Sequence, residues 1–241
     1  QGLAGAVFSA AIVQVGIIGA VQLLGLSAVT VLEIQTLAVV LGTSPLERFW
    51  RAVIDRDLAR FRGRVEILWL DDLPLPALLQ RAAGLPPRSA ILFTLFAVDA
   101  AGVPHESYTA LRRLAELANA PVFGTFDSQL GTGIVGGNLL SSEEVSRRAV
   151  GVATRILHGE PPELLRLPTV ALGAPTFDAR QLARWQIPES RLPPGSRVLF
   201  RQQPAWKVAF WPLFGSFLLV VLEAILIIGL LVQRRRHLAA R

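Results

Sequence analysis

The spacing Gly131-x-Gly133-x-x-Gly136 could, by its letters, cradle a phosphate. A dinucleotide fingerprint needs a strand directly before it, a helix opening within it and an acidic residue about 20 positions on. Here Asp127–Leu130 intervenes and the next helix start is Ser141, so the glycines suit a tight crossover between lobes better than a nucleotide. His105, His158 and His237 are scattered, with no carboxylate at ligand spacing, and a metal site is not expected. The absence of Cys excludes disulfides, thiolate metal sites, a cysteine nucleophile and a lipid-anchored N-terminal Cys. Ser44 stands between a strand and a helix, as a hydrolase nucleophile would, but Gly-x-Ser-x-Gly is missing. Its stronger match is to a helix cap. The same position offers backbone N–H groups and a positive helix end that could hold an anionic or polar ligand group. Asp71 and Asp72 are adjacent, so on a strand they point to opposite faces and fit a solvated turn. No catalytic residue, metal or cofactor is expected.

The elements that must position these residues alternate between strand and helix. Leu37–Leu41 has the apolar run of a buried strand. Ser44-Pro45-Leu46-Glu47 follows as a capping box with proline at the first helical position. The helix it opens carries Phe49, Trp50, Val53, Ile54, Leu58 and Phe61 on one face, with Arg51, Asp55, Arg56 and Arg60 opposite. Strands are expected at Val65–Leu70, Ala90–Phe96 and Pro121–Phe126, and helices at Pro76–Ala83 and Tyr108–Ala118, the latter on Leu111, Leu114 and Leu117. Repeated strand–helix–strand units with short links imply a parallel sheet with helices on both faces. Beyond the glycine loop, which carries a short strand, the capping box Ser141–Glu144 opens a helix to His158. A strand at Leu167–Leu172 and a short helix at Asp178–Trp185 follow.

Hydrophobic residues make up 52% of the chain and charged ones 17%, a balance that suits a membrane protein with one folded domain. The net charge of +6 does not signal nucleic acid, because the arginines gather near a membrane exit and no nucleic-acid-binding motif surrounds them. Trp211–Val232 is apolar but for Glu223 and is followed by Arg234, Arg235 and Arg236. As a helix it would reach roughly 33 Å, enough to cross a bilayer, with the arginines on the cytoplasmic side. Trp206, Phe210 and Trp211 would anchor its outer end. A charged Glu223 in mid-span would cost roughly 2.5–3.5 kcal/mol, and a helix–helix contact in a homodimer would relieve it. Gly2–Val31 fits a first span or buried α/β segments. A chain that begins at Gln1, has no Met and ends just past a membrane exit is expected to be a processed or truncated piece.

Several short stretches share an order with one known family. They are Val40-Leu41-Gly42-Thr43-Ser44, Leu73-Pro74-Leu75-Pro76, Ala90-Ile91-Leu92-Phe93 and Gly133-Ile134-Val135-Gly136-Gly137. The order continues through Ile156-Leu157-His158-Gly159-Glu160-Pro161-Pro162, Phe177–Leu182, Arg184–Ile187, Leu192–Ser196, Phe200-Arg201 and Ala224–Arg236. Together they resemble the extracytoplasmic sensor region of bacterial membrane histidine kinases that carry an ABC-transporter substrate-binding-protein-like domain. The resemblance covers residues 37–241. It implies an α/β fold, a parallel-sheet periplasmic-binding-protein-like lobe with an incomplete first lobe, followed by a C-terminal transmembrane helix. The division it implies is residues 1–35 as membrane anchor or first-lobe remnant, 36–205 as sensor domain, 211–232 as span and 233–241 as cytoplasmic tail. The kinase core is absent, and His237, on the arginine run, is not the phosphoacceptor.

Under this resemblance the chain senses a small molecule in an extracytoplasmic cleft, or a periplasmic partner protein, at the bacterial inner membrane. The signal then passes to a cytoplasmic kinase, in a homodimer. The expected ligand contacts are Thr43, Ser44, Phe96, Asp127 and Ser128. All stand at the carboxyl ends of parallel strands, where open α/β sheets place ligands. Two alternatives are a membrane-anchored substrate-binding component of an ABC-type transporter and a membrane-anchored α/β enzyme.

Overall fold

The computed structural model describes residues 34–161, 165, 173–201 and 214–229. Nearly all of the 1–35 segment, the whole of the strand expected at Leu167–Leu172, the aromatic anchors and the tail 233–241 lie outside the described residues. The chain divides into two units, Gln1–Arg201 and Gln202–Arg241.

Unit 1 is built on four parallel strands: β1 (Thr36–Val40), β2 (Glu66–Trp69), β3 (Ser89–Phe93) and β4 (Val122–Phe123), in the order β2-β1-β3-β4. β1 and β3 are central and buried along their whole length, which is why both read as unbroken apolar runs. Their alternate side chains feed two separate cores. Ala38, Val40, Ile91, Phe93 and Val122 point to one face, beneath α2 (Leu75–Ala83) and α3 (Ser107–Leu117). Leu37, Val39, Leu41, Ala90, Leu92 and Phe123 point to the other, beneath α1 (Pro45–Leu58). Each fully buried aliphatic side chain of this kind contributes roughly 1.5–3 kcal/mol. The expected parallel sheet with helices on both faces is therefore present. The face of α3 differs in detail from expectation. Ala110, Leu111, Leu114 and Ala115 are buried, whereas Leu117 is 56% exposed, because the helix packs one residue earlier in its last turn.

A smaller sheet, β5 (Gly136–Gly137), β6 (Thr176–Asp178) and β7 (Arg197–Leu199), grows from the edge of β4. Its β5–β6 pair is antiparallel and its β6–β7 pair parallel. The Val135 N–H donates to the Val122 carbonyl at 2.7 Å, joining the two sheets. Strands as short as β6 and β7 give no periodic signal, and the sequence expectation lacks them. α4 (Ser142–Leu157) and α5 (Ala179–Arg184) complete the unit.

The described part of unit 2 is a helix over residues 214–229, the middle of the expected span 211–232. Among the described residues no helix is long and apolar enough to cross a membrane. Residues 211–213 and 230–232 lie outside them.

The crossover glycines are fixed by space. A Cβ on Gly136, whose φ is +132°, would stand 2.2 Å from the Thr176 carbonyl oxygen and 2.7 Å from the Phe177 Cα. Gly136→Ala is expected to separate β5 from β6 and lower unfolding free energy by about 3 kcal/mol or more. Urea unfolding of both chains measures the difference, and an unchanged midpoint would count against this role for the glycine.

Candidate ligand-binding edge

In a sheet of order β2-β1-β3-β4 the connection after β1 runs one way, to β2, and that after β3 the other, to β4, so the carboxyl ends of β1 and β3 form the switch point where open α/β sheets place ligands. The residues after these strands are held by one buried side chain. Glu47, 0% exposed, sits one turn into α1 and turns back toward the loop before it. Its Oε1 accepts the Ala97 N–H at 2.6 Å and the Gly42 N–H at 3.2 Å, and its Oε2 accepts the Ser44 N–H at 2.8 Å. The Gly42 N–H is shared with the Leu95 carbonyl. This is the expected capping box, with Ser44 Oγ accepting from Glu47 N, extended to a second loop. Glycine is needed at 42, because a Cβ there would lie 2.3 Å from the Val98 carbonyl oxygen and 2.5 Å from Glu47 Oε1. Thr43 closes the same joint. Its N–H donates to the Val98 carbonyl at 2.8 Å and its hydroxyl to the Asp99 carbonyl at 2.9 Å.

Asp99 repeats the device one connection further on. It is 2% exposed and accepts the Leu75 N–H at the start of α2 (3.2 Å) and the Ala101 and Val103 N–H groups of its own loop (2.9 and 3.0 Å). His105 Nε2 lies 2.9 Å from its Oδ2. That hydrogen bond, helped by those from Val103, Leu75 and Ala101 against the cost of burial, lowers the Asp99 carboxyl from 3.8 to about 2. The His105 ring rests at 5.5 Å on Phe96. Phe96 is itself only 1% exposed, within the core beneath α2 and α3.

At the end of β4, Gln129 makes the third tie. Its Oε1 accepts the Thr125 and Phe126 N–H groups at 2.7 and 3.1 Å, and its Nε2 donates to the Thr94 carbonyl after β3 at 3.0 Å. Gly124 must lack a side chain, since a Cβ would fall 2.5 Å from Gln129 Oε1. Asp127 accepts the Ser142 N–H at 3.0 Å, and Ser128 Oγ meets the Tyr108 hydroxyl at 2.8 Å and Ser142 Oγ at 3.3 Å. Trp50, Phe126, Leu140 and Val145 pack together beside this cluster.

The five expected contacts thus fall into three groups. Asp127 and Ser128 come together with Tyr108 and Ser142 in an accessible patch of hydroxyls, Tyr108 being 43% exposed. Thr43 and Ser44 belong to the Glu47 joint, where their polar groups have partners within the chain. Phe96 presents no surface. Glu47, Asp99, Gln129, Tyr108 and Ser142 were not singled out as site residues. Only Glu47 carried a sequence signal, the capping box, and that pattern speaks of its own helix and not of a neighbouring loop. Among the described residues no cluster of His and carboxylates is able to hold a metal ion.

No family model and no curated protein matches this sequence. Among solved structures, the ABC domain in complex with L-Trp from Streptococcus pneumoniae is similar at a TM-score of 0.51 and 12% identity, covering 79% of this chain and 60% of that one. The ligand-free, open form of a substrate binding protein with adhesive properties from Clostridium difficile matches at 0.49 and 11% identity, covering 70% and 55%. A conserved domain protein from Vibrio cholerae matches at 0.49 and 16%, covering 68% and 55%. The chain therefore spans less than two thirds of the length of each. The first likeness is one of fold. Unit 1 has the α/β, periplasmic-binding-protein-like architecture, with a parallel sheet, that the resemblance implied.

Two outcomes follow from the joints. Because the folded Asp99 carboxyl lies below its unfolded value, its contribution to stability is complete above about pH 4 and fades as pH falls toward about 2. The stability gap between the native chain and Asp99→Asn should accordingly narrow across that window in chemical denaturation. A gap that is flat from pH 4 to 2 would contradict the assignment. Gln129→Ala strips partners from two amides and a carbonyl and should cost about 3 kcal/mol, read from the same unfolding curves.

Proposed function

We propose that unit 1 is the ligand-sensing lobe of a bacterial membrane receptor. In this reading residues 211–232 carry its state across the inner membrane to a cytoplasmic histidine kinase. The observation that carries the proposal is the helix at 214–229. Phe217, Leu218, Leu219, Val220 and Leu222 are 57–66% exposed, and Ile225, Leu226, Ile227 and Ile228 are 56–63% exposed. Runs of consecutive residues cover every face of a helix, so an amphipathic docking stripe does not describe them. Hydrocarbon is the solvent that fits such a surface, and Arg234–Arg236 beyond it give the cytoplasmic orientation. The order of motifs shared with sensor histidine kinases supplies the output. On this reading residues 36–205 are extracytoplasmic and the chain works as a homodimer.

The ligand is a small molecule held at the carboxyl edge of the sheet. Ser128 from the sequence, joined by Tyr108 and Ser142 from the structure, supplies the hydroxyls, and Thr43, Ser44 and Asp127 hold the connections around them. Phe96 acts from within the core by backing His105. A ligand shifts the signalling equilibrium only through its different affinity for the two states of the receptor. The second reading, a substrate-binding component of an ABC-type transporter, is favoured by the fold shared with the L-Trp-bound domain. The helix, apolar around its circumference but for Glu223, weighs toward the receptor.

A reading frame that continues past Arg241 into a phosphoacceptor histidine and an ATP-binding domain is expected, and a stop codon there would leave the transporter reading. Since the chain contains no Cys, single cysteines can report on the span. Cysteines at 218, 222 and 226 should resist a membrane-impermeant maleimide in intact vesicles and react once the bilayer is dissolved. Equal labelling before and after would remove the membrane span. Ser128→Ala should weaken, by about tenfold, whichever hit a thermal-shift screen of amides, amino acids and aromatics returns. A flat screen would argue for a partner protein as the stimulus.

A further inference from the structure

We infer that the carboxyl edge of the parallel sheet takes a neutral or cationic ligand, because the chain's own carboxylates already fill the anion-receiving end of each helix that opens there. The inference rests on the reading of this edge as a ligand site and names the class of ligand it admits. A helix that follows a parallel strand begins at the carboxyl edge, with unpaired N–H groups and about half a positive charge. Such ends are where α/β proteins ordinarily hold carboxylates and phosphates.

In this chain a carboxylate stands at the start of α1, α2 and α3, which follow β1, β2 and β3, and of α4, whose start is paired to the β4 connection through Phe126 and Leu140. Glu47 takes the Ser44, Gly42 and Ala97 N–H groups at α1. Asp99 takes the Leu75 N–H at α2. Glu106 takes the Tyr108 and Thr109 N–H groups at α3, at 2.9 and 2.6 Å. Asp127 takes the Ser142 N–H at α4. A full negative charge on a half-positive end leaves the edge repulsive to a second anion. Of the arginines beside α1, Arg51 pairs with Asp71 at 3.0 Å, and Arg48, held on the Thr43 carbonyl, keeps one positive charge against the four carboxylates. The groups left for a ligand are uncharged. They are the hydroxyls of Tyr108, Ser128 and Ser142 and, after β4, the Thr125 hydroxyl, which is buried without a hydrogen-bond partner.

Glu47 is the residue that sets this selectivity most directly. Its carboxylate is more than a cap, because Ser44 Oγ already serves the first turn and Ala97 belongs to another loop. Truncation at 47 would leave a vacant carboxylate-sized receptor lined by three N–H groups.

The test uses the full chain in detergent micelles. In Glu47→Ala, acetate is expected to raise the lowered Tm with a saturating dependence that the native chain lacks. In the native chain the amide resonances of Gly42, Ser44 and Ala97 should stay in place as acetate or phosphate is added. A saturating movement of those resonances overturns the inference, and it decides the matter even if Glu47→Ala does not fold. A folded Glu47→Ala that acetate does not rescue overturns it as well. Carboxamide–carboxylate pairs such as benzamide and benzoate complete the test. The carboxamide of any pair that binds should win by at least about tenfold. A carboxylate that binds as tightly as its carboxamide removes the inference alone. A panel in which neither member of any pair binds, with acetate rescue intact, removes the ligand-site reading and this inference with it.

Discussion

The domain depends on a carboxylate that has been taken out of water and given three amides in exchange. Glu47 is fully buried, and an isolated charge in that position would be costly. It is stable there because the Gly42, Ser44 and Ala97 N–H groups converge on its two oxygens. Those amides come from the connections after β1 and β3, the two central strands. The loops are therefore not independent surface excursions. Loss of the carboxylate would strand the Ser44 and Ala97 donors, at roughly 1–3 kcal/mol each, and leave the Gly42 N–H to the Leu95 carbonyl alone. It would also release the β3–α3 connection from α1. The absence of a side chain at Gly42 follows from the same constraint, since the carboxylate and the Val98 carbonyl occupy the space a Cβ would need.

The same solution recurs along the edge. Asp99 binds the β3–α3 connection to the start of α2, and Gln129 binds the β4 connection to the carbonyl of Thr94. Each staple is a long polar side chain that satisfies backbone groups from two connections, so each buried polar group is an answer to another. The consequence for function is a rigid edge. Residues such as Tyr108, Ser128 and Ser142 project from connections whose backbones are pinned, which is the preorganisation a binding surface requires.

The alternation of strands and helices was legible because it rests on local physics. Unbroken apolar runs mark β1 and β3 as covered on both faces, and Ser44-Pro45-Leu46-Glu47 announces a helix start that the structure reproduces bond for bond. Of the second sheet only the short strand in the glycine loop was legible. β5 to β7 have two or three residues each, and their pairing depends on contacts between residues about 20 to 40 positions apart. The strand ends were legible, so Thr43, Ser44, Asp127 and Ser128 stand in the connections after β1 and β4, as the sequence placed them. Phe96 was placed one element too far out, because β3 ends at Phe93 and the chain turns back into the core before it reaches the edge. The staples were hidden for a plainer reason. A glutamate or glutamine on an amphipathic helix or loop looks solvated until the loop that donates to it is known.

The exit of the domain follows the rule of its edge, in which a buried carboxylate organises a neighbour that could not otherwise hold its shape. Phe200 adopts a φ of +56°, which a bulky residue does not take without support. Arg180 supplies it, stacked at 4.4 Å over the ring and fixed by two hydrogen bonds to the fully buried Asp178. The ring's other contact is Gly131, where a Cβ would stand 3.4 Å from Phe200 Cζ. Gly131 lies two residues beyond Gln129, the staple of the β4 connection. The last described residues of unit 1 are thus seated on the loop that fixes the hydroxyl patch. Strain at Phe200 persists because Asp178, Arg180 and Gly131 together over-determine it.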